Sequence, residues 1–314
     1  MGNNIILSIC IPTYNRAEYL EETILSIVNQ KRFQETSEVE IVISDNCSED
    51  NTKEVCEKFI AIFGDKIHYY RNSENIIDAN FERVLSYGKG VFLKLNNDTL
   101  GHQDNTLEKI METINQNIED KEIIFFSNGT VKNITKCYCE NLDSFVKTVS
   151  FYSTWIGGFG IWKEDFDSID GFSRNANLQL VQTDVLFRLI SLNRSVLIDN
   201  TKICNSVFPK TKGGYNFYQV FVMNYLGLLE EYQIKNQISR VTLFNEKTKL
   251  MIYFLVPRTI QLLTKRDRYA FSHNKALSIV LKKYMFHPIL YLGFFYLLLR
   301  IILHQLKGFF KITI

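Results

Sequence analysis

The chain has 314 residues, 46% of them hydrophobic and 22% charged, with a formal net charge of +2. That is apolar material for one large globular domain plus an appendage, and it excludes global disorder. The charge is uneven, because residues 258–314 carry ten Lys or Arg against Asp267 alone (+9), which leaves −7 on residues 1–257. A polyanionic partner would therefore meet the tail. Six cysteines (Cys10, Cys47, Cys56, Cys137, Cys139, Cys204) include no C-x-x-C pair, which favours free thiols in a reducing compartment over a zinc site or a disulfide framework. The start, "MGNNIILSICIPTYN", lacks a basic segment and meets Pro12 too early for a signal peptide, so a cytoplasmic protein is expected. No nucleic-acid-binding motif is recognisable, and no nucleic acid partner is expected.

The first hundred residues alternate between strands and helices. Ile5, Ile6, Leu7, Ile9 and Ile11 form an apolar run stopped by Pro12, and Leu20, Ile24, Ile27 and Val28 then recur at helical spacing. "VEIVISDN" reads as a second buried strand, and "CSEDNTKEV" leads into a helix with Val55, Phe59 and Ile62 on one face. "KIHYYRN" is a third strand, "DANFERVLSYGKG" a helix closed by Gly88 and Gly90, and "VFLKL" a fourth strand. This β-α-β-α-β-α-β order predicts an α/β fold, a mostly parallel sheet with helices on both faces. Ligands of such sheets sit at the carboxyl ends of the strands, where Asp45, Asp98 and the turn Pro12, Thr13, Tyr14, Asn15 all fall.

These strand ends carry the candidate chemistry. Asp98, in "LNNDT", is either a ligand for Mg²⁺ or Mn²⁺, which take oxygen ligands completed by phosphates and water, or part of a polar turn. Tyr14 suits a planar base through its flat face, or it is a half-buried aromatic at a strand end. Asp45 can accept the ring N–H of a pyrimidine, whereas Ser48 and Asp50 are better placed to cap the helix that follows. Arg71 follows the third strand and can meet donor phosphates, or it is a surface residue.

"LSICIPTYNRAEYLEETILSIVNQ" followed by "VEIVISDNCSEDNT" resembles the opening of family 2 glycosyltransferases: an apolar strand, P-x-Y-N, an amphipathic helix, then D-[DN]-x-S-x-D. The resemblance covers roughly residues 5–200 and is strongest in the first hundred. It implies a GT-A (Rossmann-like) fold with a nucleotide-sugar donor in the crevice, a divalent metal, Mn²⁺ or Mg²⁺, on a D-x-D-like motif, and a later carboxylate as base. Carried onto this chain, it implies Tyr14 as a stacking partner for the base, Asp45 as a partner for a uracil- or thymine-type ring and Asp98 as the metal ligand; together with the residue reading, the expected donor side is Pro12, Thr13, Tyr14, Asn15, Asp45, Arg71, Asn96 and Asn97. The motif here reads Asn96-Asn97-Asp98, so an amide stands where the first carboxylate is usual. Lower metal affinity is the expected consequence.

The family's G-F pair, acidic E-D motif and helix correspond to Gly171-Phe172, Thr183-Asp184 and the apolar positions Leu186, Leu189 and Ile190, which makes Asp184 the implied base. A carboxylate opening a helix is otherwise ordinary dipole complementarity. Between metal motif and base, "FYSTWIGGFGIWKED" offers Trp155, Trp162 and Gly157-Gly158 as a wall for a sugar ring, or as core. "FPKTKGGYNFYQ" offers Lys210, Lys212 and Tyr215 as a lid over a diphosphate, or as a solvated loop.

The expected organisation is a GT-A catalytic domain at 1–215, with a nucleotide part at 1–100 and an acceptor part at 101–215, then a mainly helical extension at 216–314. Residues 284–299 contain no Lys, Arg, Asp or Glu, are flanked by Lys282-Lys283 and Arg300, and are interrupted by Pro288 and Gly293. That is short of the roughly twenty apolar residues needed to span a bilayer. Peripheral contact with the inner face of the cell membrane through 282–314 is expected, or packing on the protein or on a second copy. The expected function is inverting transfer of a sugar from a nucleotide donor to a glycan or lipid-linked acceptor in surface polysaccharide synthesis. The alternative is a catalytically weak nucleotide-sugar-binding relative that serves as an assembly partner. A sugar nucleotidyltransferase is disfavoured because "IPTYNRAEYL" has no Gly-rich basic phosphate loop.

Overall fold

The computed structural model describes residues 5–206, 213–263 and 270–311. The chain separates into two compact units, Met1–Pro209 and Lys210–Ile314.

In the first unit the strands are β1 (Leu7–Thr13), β2 (Val39–Asp45), β3 (Ile67–Arg71), β4 (Phe92–Leu95), β5 (Leu100–His102), β6 (Ile123–Phe126), β7 (Lys136–Cys139), β8 (Gly160–Trp162), β9 (Val196–Asp199) and β10 (Cys204–Ser206). Its helices are α1 (Ala17–Val28), α2 (Lys31–Glu35), α3 (Thr52–Phe63), α4 (Asn80–Tyr87), α5 (Thr106–Gln116), α6 (Leu142–Val149), α7 (Lys163–Ser168) and α8 (Val181–Ile190). The main sheet has the order β3-β2-β1-β4-β8. Its first four strands are mutually parallel, and β8 closes the edge antiparallel to β4. The parallel βαβ units expected from the alternation are thus present, in the expected places.

Leu7, Ile9, Ile11, Ile41 and Ile43 are fully buried, as strands covered on both faces require. Pro12 is tolerated in β1 because of where β4 stops. The Asn96 amide donates to the Cys10 carbonyl at 2.8 Å, beyond which β1 has no partner on that side, so the missing N–H of Pro12 costs no ladder bond. On α1, Leu20, Ile24, Ile27 and Val28 all enter the core. On α3, Val55 and Phe59 are buried but Ile62 is exposed, because the last turn packs instead through Phe63, whose ring meets Phe33 edge-on. Trp162, a candidate sugar wall, is core: it is 1% exposed, its indole N–H donates to the Glu122 carbonyl at 2.8 Å, and its ring packs edge-on against Phe92.

All six cysteines are free, in agreement with the reading of their spacing. Two smaller sheets complete the unit, β6-β9-β7 and β5-β10.

The second unit is mainly helical among its described residues, with one short parallel pair, Gly213–Asn216 against Ala270–Ser272. Phe217, Phe221, Phe254 and Phe271 form an aromatic cluster in it. Its last helix, Ile289–Lys311, starts directly after Pro288 as expected, but Gly293 does not interrupt it. A Cβ at Gly293 would lie 3.2 Å from Met251 Cγ, so the glycine instead lets the helix approach its neighbour closely.

Candidate active site

The carboxyl ends of β1 and β2 are tied together before any ligand is considered. Asn46 donates its backbone N–H to the Thr13 carbonyl, and Asn15 donates its own to Ser48 Oγ at 2.8 Å. Asn15 Oδ1 in turn accepts from the Glu49 N–H at 2.7 Å, and Asn15 sits at φ 50°, a region that Asn tolerates better than most residues. Asp50 Oδ2 accepts from the first N–H of α1, at Ala17, while Oδ1 accepts from the Thr52 N–H that opens α3. One carboxylate therefore serves two helix starts. Asn15, expected on the donor side, spends its amide oxygen on this clamp.

Thr13, Asp45 and Arg71 stand in register across the ends of β1, β2 and β3. Asp45 is fully buried; its Oδ1 accepts from the Ser48 N–H at 2.8 Å and its Oδ2 from the Tyr69 hydroxyl at 2.7 Å. Burial and this contact push the Tyr69 phenol upward from its ordinary range. Arg71 Nη1 lies 3.9 Å from Asp45 Oδ2. Tyr14, one residue past β1, is 43% exposed.

Asp98 is 2% exposed and held on every side. Arg16 Nη1 donates to Oδ1 at 3.0 Å, Thr13 Oγ1 donates to Oδ2 at 3.0 Å, and Thr23 Oγ1 donates to the Asp98 carbonyl at 2.9 Å. The run after β4 forms a turn in which Asn97 Oδ1 accepts from the Thr99 N–H and hydroxyl, and it brings the Asp98 carboxylate against Thr13 at the end of β1.

Asn96 faces inward. Its Nδ2 donates to the carbonyls of Asn97 and Leu100, and its Oδ1 lies 3.1 Å from His102 Nε2. His102 is buried, which lowers its pKa to about 3, with the Lys94 charge contributing. Lys94 is itself fully buried, donates to the Gly157 carbonyl at 2.7 Å, and has its pKa lowered by burial to about 8. Asn96 is thereby a framework residue, and Asp98 is the one carboxylate in the Asn96-Asn97-Asp98 run. Among the described residues no group of three or more His, Cys, Asp or Glu is gathered as a metal cage. A single buried carboxylate fits a divalent ion that draws its remaining ligands from substrate phosphates and water.

Asp184 lies in the first turn of α8 and is fully buried. Arg174 grips it in a fork, Asn175 Nδ2 donates to Oδ1 at 3.1 Å, and Arg188 Nε is 3.2 Å from Oδ2. Arg188 also donates to the carbonyls of Asp170, Gly171 and Phe172, which fixes the Gly171-Phe172 turn against α8. Thr183, at the usual Glu position, is buried and donates to the Ser153 carbonyl at 3.4 Å, so a second carboxylate there would bury a charge and replace this donor by an acceptor. The turn Ala176–Leu178 packs on the turn Ile77–Ala79 that follows β3, which brings the Asp184 segment to the strand-end side of the sheet. Asp78, in that second turn, has its pKa raised by burial to about 6.

The remaining candidates divide. Trp155 packs partly buried against the core, and a Cβ on Gly157 or Gly158 would lie 2.6 Å from Leu100 or Phe125, so the glycine pair serves core packing. Tyr215 belongs to the second unit, where its ring lies 4.8 Å from Phe271. Lys210 and Lys212 lie outside the described residues. The sequence reading missed Arg16, Arg174 and His102. Arg16 follows P-T-Y-N directly, and Arg174 and Arg188 flank Asp184; proximity to each carboxylate was the available signal.

The parallel sheet with its antiparallel edge strand is a GT-A-type fold. Residues 8–120 match the Glycosyl transferase family 2 profile. The chain is 45% identical over 87 residues to the abequosyltransferase RfbV of Salmonella typhimurium, covering 27% of this chain and 26% of that protein. It is 30% identical over 128 residues to the Campylobacter jejuni GalNAc(5)-diNAcBac-PP-undecaprenol beta-1,3-glucosyltransferase, covering 40% of this chain and 38% of that protein. The matched segment thus spans well under half the length of each relative. Among solved structures, the mannosyltransferase PcManGT from Pyrobaculum calidifontis, in complex with GDP-Man and Mn²⁺, superposes with a TM-score of 0.55 at 12% identity, covering 80% of this chain and 71% of that one. At that identity the likeness is one of fold.

Proposed function

We propose that the protein is an inverting glycosyltransferase that moves a sugar from a nucleotide-sugar donor to a glycan or lipid-linked acceptor in surface polysaccharide synthesis. The observation that carries this reading is the convergence of Thr13, Arg16 and Asp98 at the ends of β1 and β4, within the segment that matches the family. The donor base stacks on Tyr14 and meets Asp45, while Arg71 faces the phosphates. A divalent ion held by Asp98 would stabilise charge developing on the departing diphosphate.

Asp184 is the proposed base. As the acceptor oxygen bonds to the anomeric carbon, its proton passes to the Asp184 carboxylate; the bond from that carbon to the diphosphate oxygen breaks, and the nucleoside diphosphate leaves with the electron pair. Attack opposite the leaving group inverts the centre. The fork from Arg174 occupies both carboxylate oxygens, so Arg174 gives way to the acceptor before transfer. Its side chain is 42% exposed against 16% for Arg188, which makes it the arm that can move.

Membrane contact belongs to the same proposal. Tyr291, Leu292, Phe295, Leu298 and Leu299 are exposed on the helix Ile289–Lys311, Phe286 just before it is 96% exposed, and no acidic residue follows Asp267. An apolar face with cationic flanks suits an anionic bilayer surface and a lipid-linked acceptor. Among the described residues no helix is long and apolar enough to cross a membrane. Of the flanking cations, Lys282 is exposed, whereas Lys283 is committed to Glu230 inside the unit. Binding of UDP-, GDP- and dTDP-sugars, followed by calorimetry, tests the donor reading; no binding by any of them would overturn it.

A further inference from the structure

Asp98 is the one charged group the metal motif retains, and it already has a cation. Arg16 Nη1 is 3.0 Å from Oδ1, the carboxylate is 3% exposed, and Thr13 Oγ1 takes the other oxygen. The guanidinium is 26% exposed, so this ion pair sits at the rim of the site with one partner buried and the other reachable. Its backbone is fixed: Arg16 precedes α1, its carbonyl accepts the Leu20 N–H, and Asp50 holds the neighbouring Ala17 N–H. Only the side chain is left to move.

A divalent ion and a guanidinium cannot share Oδ1 at contact distance, since like charges a few ångströms apart repel by several kcal/mol at an effective dielectric of about 20. The neighbouring amides offer no other place for the charge, because Asn96 faces His102 and Asn97 is spent on Thr99.

We propose that Arg16 is the resident cation of Asp98, that divalent metal must displace it, and that the displaced guanidinium turns to the diphosphate of the donor. The inference rests on the donor-site reading given above and adds to it a residue and an order of events. Metal binds poorly to the donor-free protein, and the diphosphate recruits it by drawing Arg16 away. Arg16 then contributes positive charge to the leaving group from the protein itself, beside the metal.

The test uses the full chain and binding readouts. Titration of Mn²⁺ alone, followed by the loss of the free-ion electron paramagnetic resonance signal, should show Arg16→Gln binding about fivefold more tightly than wild type, the range expected for removing a part-exposed ion pair. Arg16→Lys, which keeps the charge, should stay near wild type, and Arg16→Gln with Asp98→Asn should lose the gain. Inorganic diphosphate in the presence of EDTA should bind Arg16→Gln more weakly than wild type by a similar factor. Circular dichroism of each variant verifies folding. Mn²⁺ affinity unchanged in Arg16→Gln, or a gain that survives Asp98→Asn, overturns the competition; undiminished diphosphate binding overturns the second role of Arg16. Failure of every nucleotide-sugar to bind wild type would instead sink the donor reading and leave the Mn²⁺ result standing.

Discussion

Arg174 grips both carboxylate oxygens of Asp184, with Nε 3.0 Å from Oδ2 and Nη2 2.8 Å from Oδ1. A fork of this kind is among the stronger side-chain contacts, and it offsets the cost of burying the carboxylate. Arg174→Ala should therefore destabilise the protein by about 1–3 kcal/mol, because Asp184 keeps Arg188 and Asn175 but loses its best partner. Urea unfolding measures this, and a double-mutant cycle with Asp184→Asn should return a coupling of at least about 1 kcal/mol. Additive effects would mean that the fork contributes nothing at equilibrium.

Asn96 invites restoration of the usual acidic pair, and the structure predicts failure. In Asn96→Asp a carboxylate oxygen would replace the amide nitrogen that donates to the Asn97 and Leu100 carbonyls, placing oxygen against oxygen in a buried turn. A loss of about 2–3 kcal/mol in unfolding free energy is expected, the cost of breaking two bonds and burying a poorly matched charge. No gain in Mn²⁺ affinity should accompany it. Unchanged stability with tighter metal binding would show that position 96 faces the metal.

Much of the first unit was legible in the sequence, for physical reasons. Four apolar runs separated by amphipathic helices leave a parallel sheet as the economical solution, and the strand ends then locate Thr13, Asp45 and Asp98. Partners of the carboxylates were less legible. Nothing in the spacing distinguishes an Arg that pairs across 82 residues, as Arg16 does with Asp98, from an exposed one. Glycines misled for a related reason. Gly157 and Gly158 fit a backbone that approaches a sugar as well as one that approaches Leu100 and Phe125, and only packing decides. Gly293 likewise read as a helix breaker, whereas its contact with Met251 makes it a helix-packing residue.

His102 makes stability depend on acid pH with a definite sign. Its folded pKa is about 3, below the ordinary imidazole value of 6.5. Below pH 6.5 the unfolded chain takes up a proton that the folded protein refuses until about pH 3, so the contribution is complete above 6.5 and is lost as pH falls through that window. His102→Gln should flatten the wild-type decline over this range, as read by unfolding at a series of pH values. An identical slope in both proteins would contradict the assignment.

The exposed face of the helix Ile289–Lys311 gives a lipid prediction. Wild type should co-sediment with anionic vesicles more at low salt than at high salt, and replacing Phe295 and Leu299, 71% and 44% exposed, by Glu should weaken binding by at least about tenfold. Equal sedimentation of the variant, or none of the wild type, would refuse the membrane contact. Sedimentation velocity would then show whether a second copy covers the face.

Release of nucleoside diphosphate from UDP-, GDP- or dTDP-sugars by the purified protein with Mn²⁺, compared with Asp184→Asn and Asp98→Ala, tests the central claim most directly. The account predicts sugar-dependent release by wild type, a fall of at least about a hundredfold in Asp184→Asn with donor binding retained, and weakened metal-dependent donor binding in Asp98→Ala. Donor binding without release by wild type, or near-normal turnover in Asp184→Asn, would contradict it.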